Sequence, residues 1–458
     1  LNDKSDSNYT TMFSLLRNFM SSRTTFSITL SFLFLVLFAV TAEAQQPPHK
    51  DMMDDYSVNF YEVVDSAEQY FSENGTGKGS GFKGYNRWKN ENESKFAPSG
   101  DRSEVDLFLI DKAYSTLYQE SRLSQKTSFA NGWVELGPWD ANNVTSHYSP
   151  GIGRVETFWV NPDNDNQIFL GSRSGGFWRT DDGGENWENT TDYLVASGVP
   201  ALAVNPNDFK EILISVQHGG ASYTHGIYRS TDGGTTWQES NFNPDNLNWG
   251  GLGDNERIYK IAYHPMVANK IFICSTKGLY VSGDNLKTWQ QAFSGNTTDV
   301  AFHPLDDQII YAYRNTGTDR NYLKRSSNGG SSFSNSGQFL DNSNALIFLS
   351  TSKSQPGHIY AASKNNIYKS ANTGVFFTKL TNPDEDCQGF AVSDLDVNNM
   401  IYGYVDLQAS TDNGSTFKKV TKWAVQDDAY VHADLRTAQC INGVFYVGTD
   451  GYLAKSSD

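Results

Sequence analysis

Acidic side chains recur in this chain at one fixed position of a short motif, and residues 230–237 (STDGGTTW) are a clear copy of it. A carboxylate beside hydroxyl groups is a candidate for general acid or base catalysis. The pattern is Ser/Thr-x-Asp/Asn-x-Gly-x-x-Trp/Phe, and only the third copy replaces the glycine, with Leu286. A catalytic acid is normally needed once, and seven equivalent copies cannot all face one site. We therefore predict a structural turn, whose oxygens accept hydrogen bonds from nearby backbone N–H groups.

The motif occurs seven times in phase, and the last copy is cut short by the end of the sequence. Its third position holds Asp182, Asp232, Asp284, Asn328, Asn372, Asp412 and Asp458. Its eighth position holds Trp187, Trp237, Trp289, Phe333, Phe377 and Phe417. We expect these aromatic side chains to pack back over the turn, where they bury a large apolar area.

The residues between the motifs predict the element that each motif belongs to. An apolar run such as 168–172 and a short run such as 176–180 precede each copy, and four copies also have an earlier proline turn. Four short strands per repeat are indicated. One such sheet cannot bury both faces alone, so neighbouring sheets must stack. The sequence predicts an all-β fold, a β-propeller of about seven four-stranded blades with the last one truncated.

Three side chains outside the motif are further candidates for chemistry. Asp450 follows a strand at a turn where an acid could act, although Lys277 holds the same place in the third repeat and favours an ordinary turn residue. His432 and Asp434 are two residues apart on an expected inner strand, so they would share one face. They are candidates for ligand binding, and a hydrogen-bonded pair in the channel is the alternative.

Catalytic, metal and cofactor sites find little support in the residue pattern. No partner carboxylate can be placed beside Asp450, so general acid–base catalysis is unsupported. No Cys/His spacing resembles a zinc site, and we expect neither a metal nor a cofactor. The three cysteines, Cys274, Cys387 and Cys440, allow at most one disulfide. The net charge of −16 argues against nucleic acid as a partner.

The start of the chain predicts export. Arg23 precedes an apolar run that ends in Ala42-Glu43-Ala44, which is the order of a secretory signal peptide. We assign residues 1–44 to the signal, with 1–19 as an upstream extension. A membrane anchor is the alternative, but the apolar run is short for a span. No other segment is apolar enough to cross a membrane, so we expect a secreted or surface protein.

Residues 45–130 are predicted to form a small helical region ahead of the propeller, which we assign to 131–458. Apolar residues at helical spacing predict one helix near Phe60 and a second helix with Leu109 and Leu117 on its packed face. Ser103 is the expected cap of the second helix. The stretch 75–102, rich in Gly and Lys, is predicted to be a loop.

The repeat resembles the Asp-box, or BNR, repeat over about 133–458. This repeat is found in sialidases, xyloglucanase-type endoglucanases and sortilin-type receptor propellers, where the box is a turn between the third and fourth strands, away from the central funnel. The stretches 133–139 and 151–184 are similar to large exported proteins of Bacteroidetes, often sortilin-like propellers with a C-terminal sorting domain for type IX secretion. No such sorting domain is found in this sequence, which reads as a fragment.

The resemblance implies an exported, non-catalytic propeller that binds a protein, peptide or glycan outside the cell. The alternative is a glycoside hydrolase, xyloglucanase-like or sialidase-like. The sialidase Arg-Ile-Pro motif is absent, and Arg154 is the nearest early arginine. In the first blade, the turn at 172–176 has no acid where xyloglucanase-type enzymes use one. A third possibility is a purely structural surface or adhesion module. The expected 133–137 strand would pair with the last blade, or further blades would follow.

Overall fold

The structure is a computed structural model of the whole chain. It describes residues 47–103, 107–123, 153–218, 223–244, 246, 256–315, 322–339, 346–364, 366–381, 383, 386–424 and 430–456. Three predictions lie outside these residues: the signal peptide 1–44, the strand at 133–137 and the last motif position, Asp458. The described residues form two compact units, with the boundary between Val105 and Asp106.

The described part of the first unit contains three helices: α1 (Pro48–Asp54), α2 (Phe60–Asn74) and α3 (Phe82–Phe96). The prediction of a loop over 75–102 was wrong, because α3 lies within it. The pattern that reveals α3 is aromatic rather than aliphatic, since Tyr85 and Phe96 form its buried face and Trp88 stacks on Phe60 at 5.3 Å between ring centroids. Its polar residues and Gly84 conceal this spacing in a search for aliphatic periodicity.

The second unit begins with α4 (Leu107–Leu123) and continues with seven antiparallel sheets, which we call blades 1 to 7. Blades 1 to 3 consist of β1 (Val155–Val160), β2 (Ile168–Ser172), β3 (Gly176–Thr180), β4 (Glu188–Asn189); β5 (Leu202–Asn205), β6 (Asp208–Gln217), β7 (Thr224–Ser230), β8 (Gln238–Glu239); β9 (Ile258–Tyr263), β10 (Ile271–Ser275), β11 (Gly278–Ser282) and β12 (Gln290–Ser294).

Blades 4 to 7 repeat the same order, and the described part of blade 7 has three strands. They consist of β13 (Thr297–Phe302), β14 (Ile310–Arg314), β15 (Tyr322–Ser326), β16 (Ser334–Phe339); β17 (Phe348–Thr351), β18 (Ile359–Ser363), β19 (Asn366–Ser370), β20 (Thr378–Thr381); β21 (Gly389–Val392), β22 (Met400–Gly403), β23 (Leu407–Ser410), β24 (Lys418–Lys419); β25 (Leu435–Ile441), β26 (Val444–Thr449) and β27 (Leu453–Lys455).

The seven sheets close into a ring, so the predicted β-propeller is confirmed. The first strand of each blade packs against the first strands of its two neighbours, and β25 of blade 7 packs against β1 of blade 1. At this closure, Phe158 and Tyr446 belong to one buried cluster. Gln439 also donates its amide hydrogen to the carbonyl oxygen of Phe158 at 3.0 Å. Each sheet thus has both faces covered by other sheets, as the stacking argument requires.

The motif forms the turn between the third and fourth strands, and blade 2 shows its geometry. The Ser230 hydroxyl donates to Asp232 Oδ1 at 2.7 Å and accepts from the Gly234 N–H at 2.8 Å. Asp232 Oδ1 also accepts from the Thr236 N–H at 2.9 Å. Burial alone would raise the pKa of Asp232, but these hydrogen bonds lower it to about 2. The carboxylate is therefore an ionised acceptor of backbone hydrogens at neutral pH.

The motif also joins neighbouring blades. Trp237 packs its ring edge-on against Phe177 of blade 1, at 4.9 Å between centroids. At Gly234, which has a positive φ of 82°, an added Cβ would lie 2.6 Å from the Phe177 ring. Arg179 of blade 1 also donates a hydrogen bond to the Gly233 carbonyl oxygen at 3.1 Å. The glycine, the aromatic residue and the preceding base thus form one interblade contact.

Helix α4 packs differently from the expectation. The predicted face is exposed, with Leu109 at 64% and Leu117 at 62% of their full accessibility. Ser115 instead donates to the Tyr193 carbonyl oxygen at 2.9 Å. The helix therefore docks on the sheets through polar side chains, which an apolar periodicity does not detect.

None of the described helices has the length and apolar character needed to span a bilayer. All three cysteines are free thiols.

We predict that Asp232→Ala lowers the free energy of unfolding by about 1–2 kcal/mol, because several turn hydrogen bonds lose their acceptor. Asp232→Asn should cost less than half of that, since Asn328 and Asn372 fill the same role through Oδ1 in other blades. Urea unfolding followed by tryptophan fluorescence measures both. Equal losses for the two variants would contradict the turn geometry.

Candidate functional site

The two faces of the ring carry different groups of turns. Successive strands are antiparallel, so the turns between strands 1 and 2 share one face with the motif turns between strands 3 and 4. The turns between strands 2 and 3 lie on the opposite face, together with the connections between blades. We call this second face the open face. It carries Asp450, His432 and Asp434, whereas the motif carboxylates lie on the other face and cannot reach them.

Asp450 lies in the turn between β26 and β27 and is held by Arg436 of β25. The guanidinium binds it in bidentate fashion, with Nε 2.6 Å from Oδ1 and Nη2 2.8 Å from Oδ2. Arg154 Nε lies 3.5 Å from Oδ1. Burial alone would raise the pKa of Asp450, but the Arg436 hydrogen bonds and the charges of Arg436 and Arg154 hold it below its usual value of 3.8.

The network continues into blade 1, across the closure of the ring. Arg154 Nε is 2.7 Å from Glu156 Oε1, and Arg173 Nη1 is 3.6 Å from the same oxygen. Arg154 is therefore shared by Glu156 and Asp450. On the blade 6 side, Arg436 Nη1 donates to Gln388 Oε1 at 3.3 Å. We call these residues of blades 6, 7 and 1 the closure network.

His432 and Asp434 lie beside this network, but the expectation that they share one face of a strand was wrong. Both precede β25 in the connection from blade 6, and Asp434 has a left-handed backbone with φ of 65°. Asp434 Oδ2 lies 4.0 Å from Arg436, and its carbonyl oxygen accepts the Asp450 N–H at 3.1 Å. His432 Nδ1 lies 2.7 Å from the Ala433 carbonyl oxygen, which indicates that this nitrogen carries a hydrogen.

Aromatic side chains surround the closure network. Tyr430 and Tyr452 lie 6.4 Å apart between ring centroids, and the His432 ring meets Tyr452 edge-on at 6.1 Å. The Tyr404 ring lies 5.8 Å from the Arg436 guanidinium carbon. All three tyrosines are half-buried, so each keeps part of its surface accessible. Burial and the neighbouring Tyr452 raise the pKa of Tyr430 to about 12.

This arrangement favours binding over proton transfer. A glycosidase acid must hold its proton near neutral pH, which requires a raised carboxyl pKa. The pKa of Asp450 is lowered instead, and Arg154 lies between it and Glu156. The site therefore offers ion-paired donors and acceptors with aromatic surface beside them. Among the described residues, no group of three or more His, Cys, Asp or Glu side chains is arranged to hold a metal.

Helix α4 occupies another part of the open face, next to blade 2. Asp111 Oδ2 accepts a hydrogen bond from the Tyr223 hydroxyl at 2.7 Å and lies 2.9 Å from Nε2 of the buried His225. Burial alone would raise the pKa of Asp111, but hydrogen bonds from His225 and Tyr223 lower it. This helix contact involves blade 2, whereas the closure network is formed by residues of blades 6, 7 and 1.

Sequence reasoning missed Arg436, Glu156, Arg173 and the tyrosines of this site. Arg436 follows Asp434 by two residues, and this closeness in the sequence is the one sign that could have identified Arg436 as part of the site. Its partner Asp450 comes from the next turn of the same blade, whereas Arg154 and Glu156 come from the first blade. The blade 1 and blade 7 side chains come into contact only because the ring closes, and the sequence of a single repeat does not predict that contact.

Comparison with known proteins gives the same fold. No family model matches this chain. A probable oligoxyloglucan-reducing end-specific xyloglucanase of Neosartorya fischeri is 29% identical over 93 residues, which are 19% of this chain and 11% of that protein. The GH74 enzyme of Niastella koreensis has a TM-score of 0.54 at 19% identity and matches over 67% of this chain and 53% of that one.

The GH74 xyloglucanase of Xanthomonas campestris also has a TM-score of 0.54, at 16% identity, over 67% of this chain and 52% of that one. This chain thus spans about half the length of each solved enzyme and a small part of the fungal relative. At these identities the structural likeness establishes the fold alone, a seven-bladed β-propeller like those of GH74 enzymes.

We predict that Arg436→Gln lowers the free energy of unfolding at neutral pH by about 2 kcal/mol, because a half-buried carboxylate loses its bidentate partner. The folded pKa of Asp450 is lowered, so the pair stabilises the fold above the usual pKa of 3.8, and this contribution is lost as the pH falls through the lowered folded value. Thermal unfolding of variant and wild type against pH measures it. A difference that stays constant in acid would contradict the ion pair.

Proposed function

We propose that the propeller binds a glycan on its open face, at the closure network, without cleaving it. The observation that carries this proposal is the placement of three half-buried tyrosines, Tyr404, Tyr430 and Tyr452, around fixed guanidinium and carboxylate groups. Aromatic faces pack against the apolar faces of sugar rings, while a few oriented polar groups select the hydroxyls. Binding sites commonly combine aromatic lining with a small number of fixed polar groups.

The relatives support a glycan rather than a peptide as the ligand. The fungal relative is named for action on xyloglucan oligomers, and the Xanthomonas campestris structure is a xyloglucanase. Their shared fold makes a plant-type β-glucan a reasonable first ligand for this chain, although a fold by itself does not carry an activity.

Two features argue against catalysis by the closure network. Asp450 is ionised and bound by Arg436, so it has no proton to give to a leaving group. The turn of blade 1 between β2 and β3, residues 173–175, has the sequence Arg-Ser-Gly and supplies no acid. Without a protonated carboxyl group opposite a base, hydrolysis with inversion lacks its general acid.

Glycoside hydrolysis is the second candidate, because the relatives named above are hydrolases. In this alternative Asp450 acts as the base, since a lowered pKa keeps it ionised, and the acid comes from outside the described residues. The two candidates differ in one observable, the release of reducing ends.

We propose that the motif turns are Asp-box turns, as in sortilin-like and related propellers. We also propose that residues 1–44 direct export, so that binding takes place outside the cell. The hydrogen bonds of the six described motif turns and their position on the face away from Asp450 support the first point.

We predict that the mature protein binds xyloglucan or another β-glucan, and that Tyr452→Ala and Tyr404→Ala each weaken binding by about ten-fold, because a sugar ring loses its stacking surface. Titration calorimetry or affinity electrophoresis measures this. Phe376→Ala is the matched control, since that aromatic is 58% exposed on a motif turn of the opposite face.

A reducing-sugar assay on the same samples decides between the two candidates. Asp450→Asn keeps an oxygen acceptor for Arg436 but removes the carboxylate, so it tests catalysis once circular dichroism has shown that the variant is folded. Turnover by the wild type that Asp450→Asn abolishes would establish the hydrolase instead. A folded protein that binds none of the glycans would overturn the proposal and favour a peptide ligand or a structural role.

A further inference from the structure

A second group of cations lies in blade 4, which is not part of the closure network: Arg314 at the open-face end of its strand and Lys324 further along the next strand. Arg314 is the last residue of β14, and Lys324 lies in the middle of β15. Lys324 is the strand partner of Ala312, two residues before Arg314, so both side chains lie on the same side of the sheet. Ala312 packs in one buried cluster with Phe272 and Cys274 of blade 3, so this side faces blade 3.

The internal repeats show that these two cations are exceptions. The residue two places before the first Ser or Thr of the motif is Lys324 in blade 4, Gln408 in blade 6 and Ala454 in blade 7. In blades 1, 2, 3 and 5 it is aromatic: Trp178, Tyr228, Tyr280 and Tyr368. Arg314 ends the second strand of blade 4. In blades 1, 3, 5 and 7 the residue that ends this strand carries a hydroxyl group: Ser172, Ser275, Ser363 and Thr449. Stacking of blades therefore requires neither charge.

The surroundings of Arg314 are shaped to fit its side chain. Gly295, which has a positive φ of 104°, approaches it so closely that an added Cβ would lie 2.5 Å from Arg314 Nε. The Lys324 ammonium lies 5.7 Å from the centre of the Phe293 ring, which belongs to the last strand of blade 3. The two cations thus lie where blades 3 and 4 meet, with Arg314 against a glycine and Lys324 against an aromatic ring. We call this place the blade 3–4 junction.

Within the described part of the chain, neither cation has an acidic partner. Arg314 Nε is buried and makes no hydrogen bond to a described residue. Burial lowers the pKa of Lys324, and the positive charge of Arg314 lowers it further. A buried donor without an acceptor and two repelling cations are both unfavourable in an otherwise acidic protein of net charge −16. A bound anion would relieve both.

We propose that the blade 3–4 junction binds an anionic group, a carboxylate or a sulfate, carried by an acidic polysaccharide. Both groups offer several oxygens to the forked guanidinium of Arg314 and to the Lys324 ammonium. This site is distinct from the closure network and does not depend on its proposed neutral glycan.

Three polymers with one backbone test the proposal: carboxymethyl dextran, dextran sulfate and unmodified dextran, titrated calorimetrically at equal ionic strength. The wild type should bind a charged polymer and leave unmodified dextran unbound. Preference between the two charged polymers identifies the group. Arg314→Ser and Lys324→Tyr should each weaken binding by about ten-fold, as expected for the loss of a charge-assisted contact. Both variants carry residues that equivalent blades already use, so the fold should be retained.

Lys287→Gln is the matched control, because it removes an exposed cation from a motif turn on the opposite face. Its binding should equal that of the wild type. Equal loss in Lys287→Gln, no loss in the two site variants, or no binding of either charged polymer would each overturn the proposal. Xyloglucan binding by Arg314→Ser and Lys324→Tyr should stay unchanged, which separates failure of this site from failure of the proposed function.

Discussion

The structure depends on one constraint: every blade has two apolar faces and no independent means of covering them. Phe169 and Phe177 of blade 1 share a buried cluster with Ile212 and Ile214 of blade 2, and similar clusters recur around the ring. A row of such sheets leaves two bare faces at its ends, and closure against the first blade removes both. The cluster of Phe158 with Tyr446 is therefore as much a part of the fold as any single sheet.

Closure also creates the candidate site. Arg436 and Asp450 belong to blade 7, whereas Arg154 and Glu156 belong to blade 1, and the four charges meet only because β25 lies against β1. The same contact that buries apolar surface thus orders an ion-pair network at the mouth of the ring. The Arg436 hydrogen bonds and the neighbouring positive charges lower the pKa of Asp450, so its carboxylate is ionised and paired at neutral pH.

The repeats allow equivalent positions of the seven blades to be compared with one another. A side chain that recurs at one position in most blades, such as the motif carboxylate or the base that precedes the motif, has a structural task in each of them. A side chain that breaks the pattern has no such explanation. By this measure Asp232 and Arg179 are structural, whereas Arg314 and Lys324 of blade 4 require another reason.

The strands, the blade count, the turns and the helix that begins at Phe60 could be predicted from the residues alone, because they follow from local hydrogen bonding and from the spacing of apolar residues. The sequence did not reveal α3, whose spacing is carried by scattered aromatics, and it assigned α4 an apolar docking face where Asp111 and Ser115 make the contacts. His432 and Asp434 were placed on a strand, although they lie in a connection whose path no strand pattern describes. Which charges meet could not be predicted from the residues, because Asp450 and Arg154 lie near opposite ends of the propeller sequence and come together through ring closure.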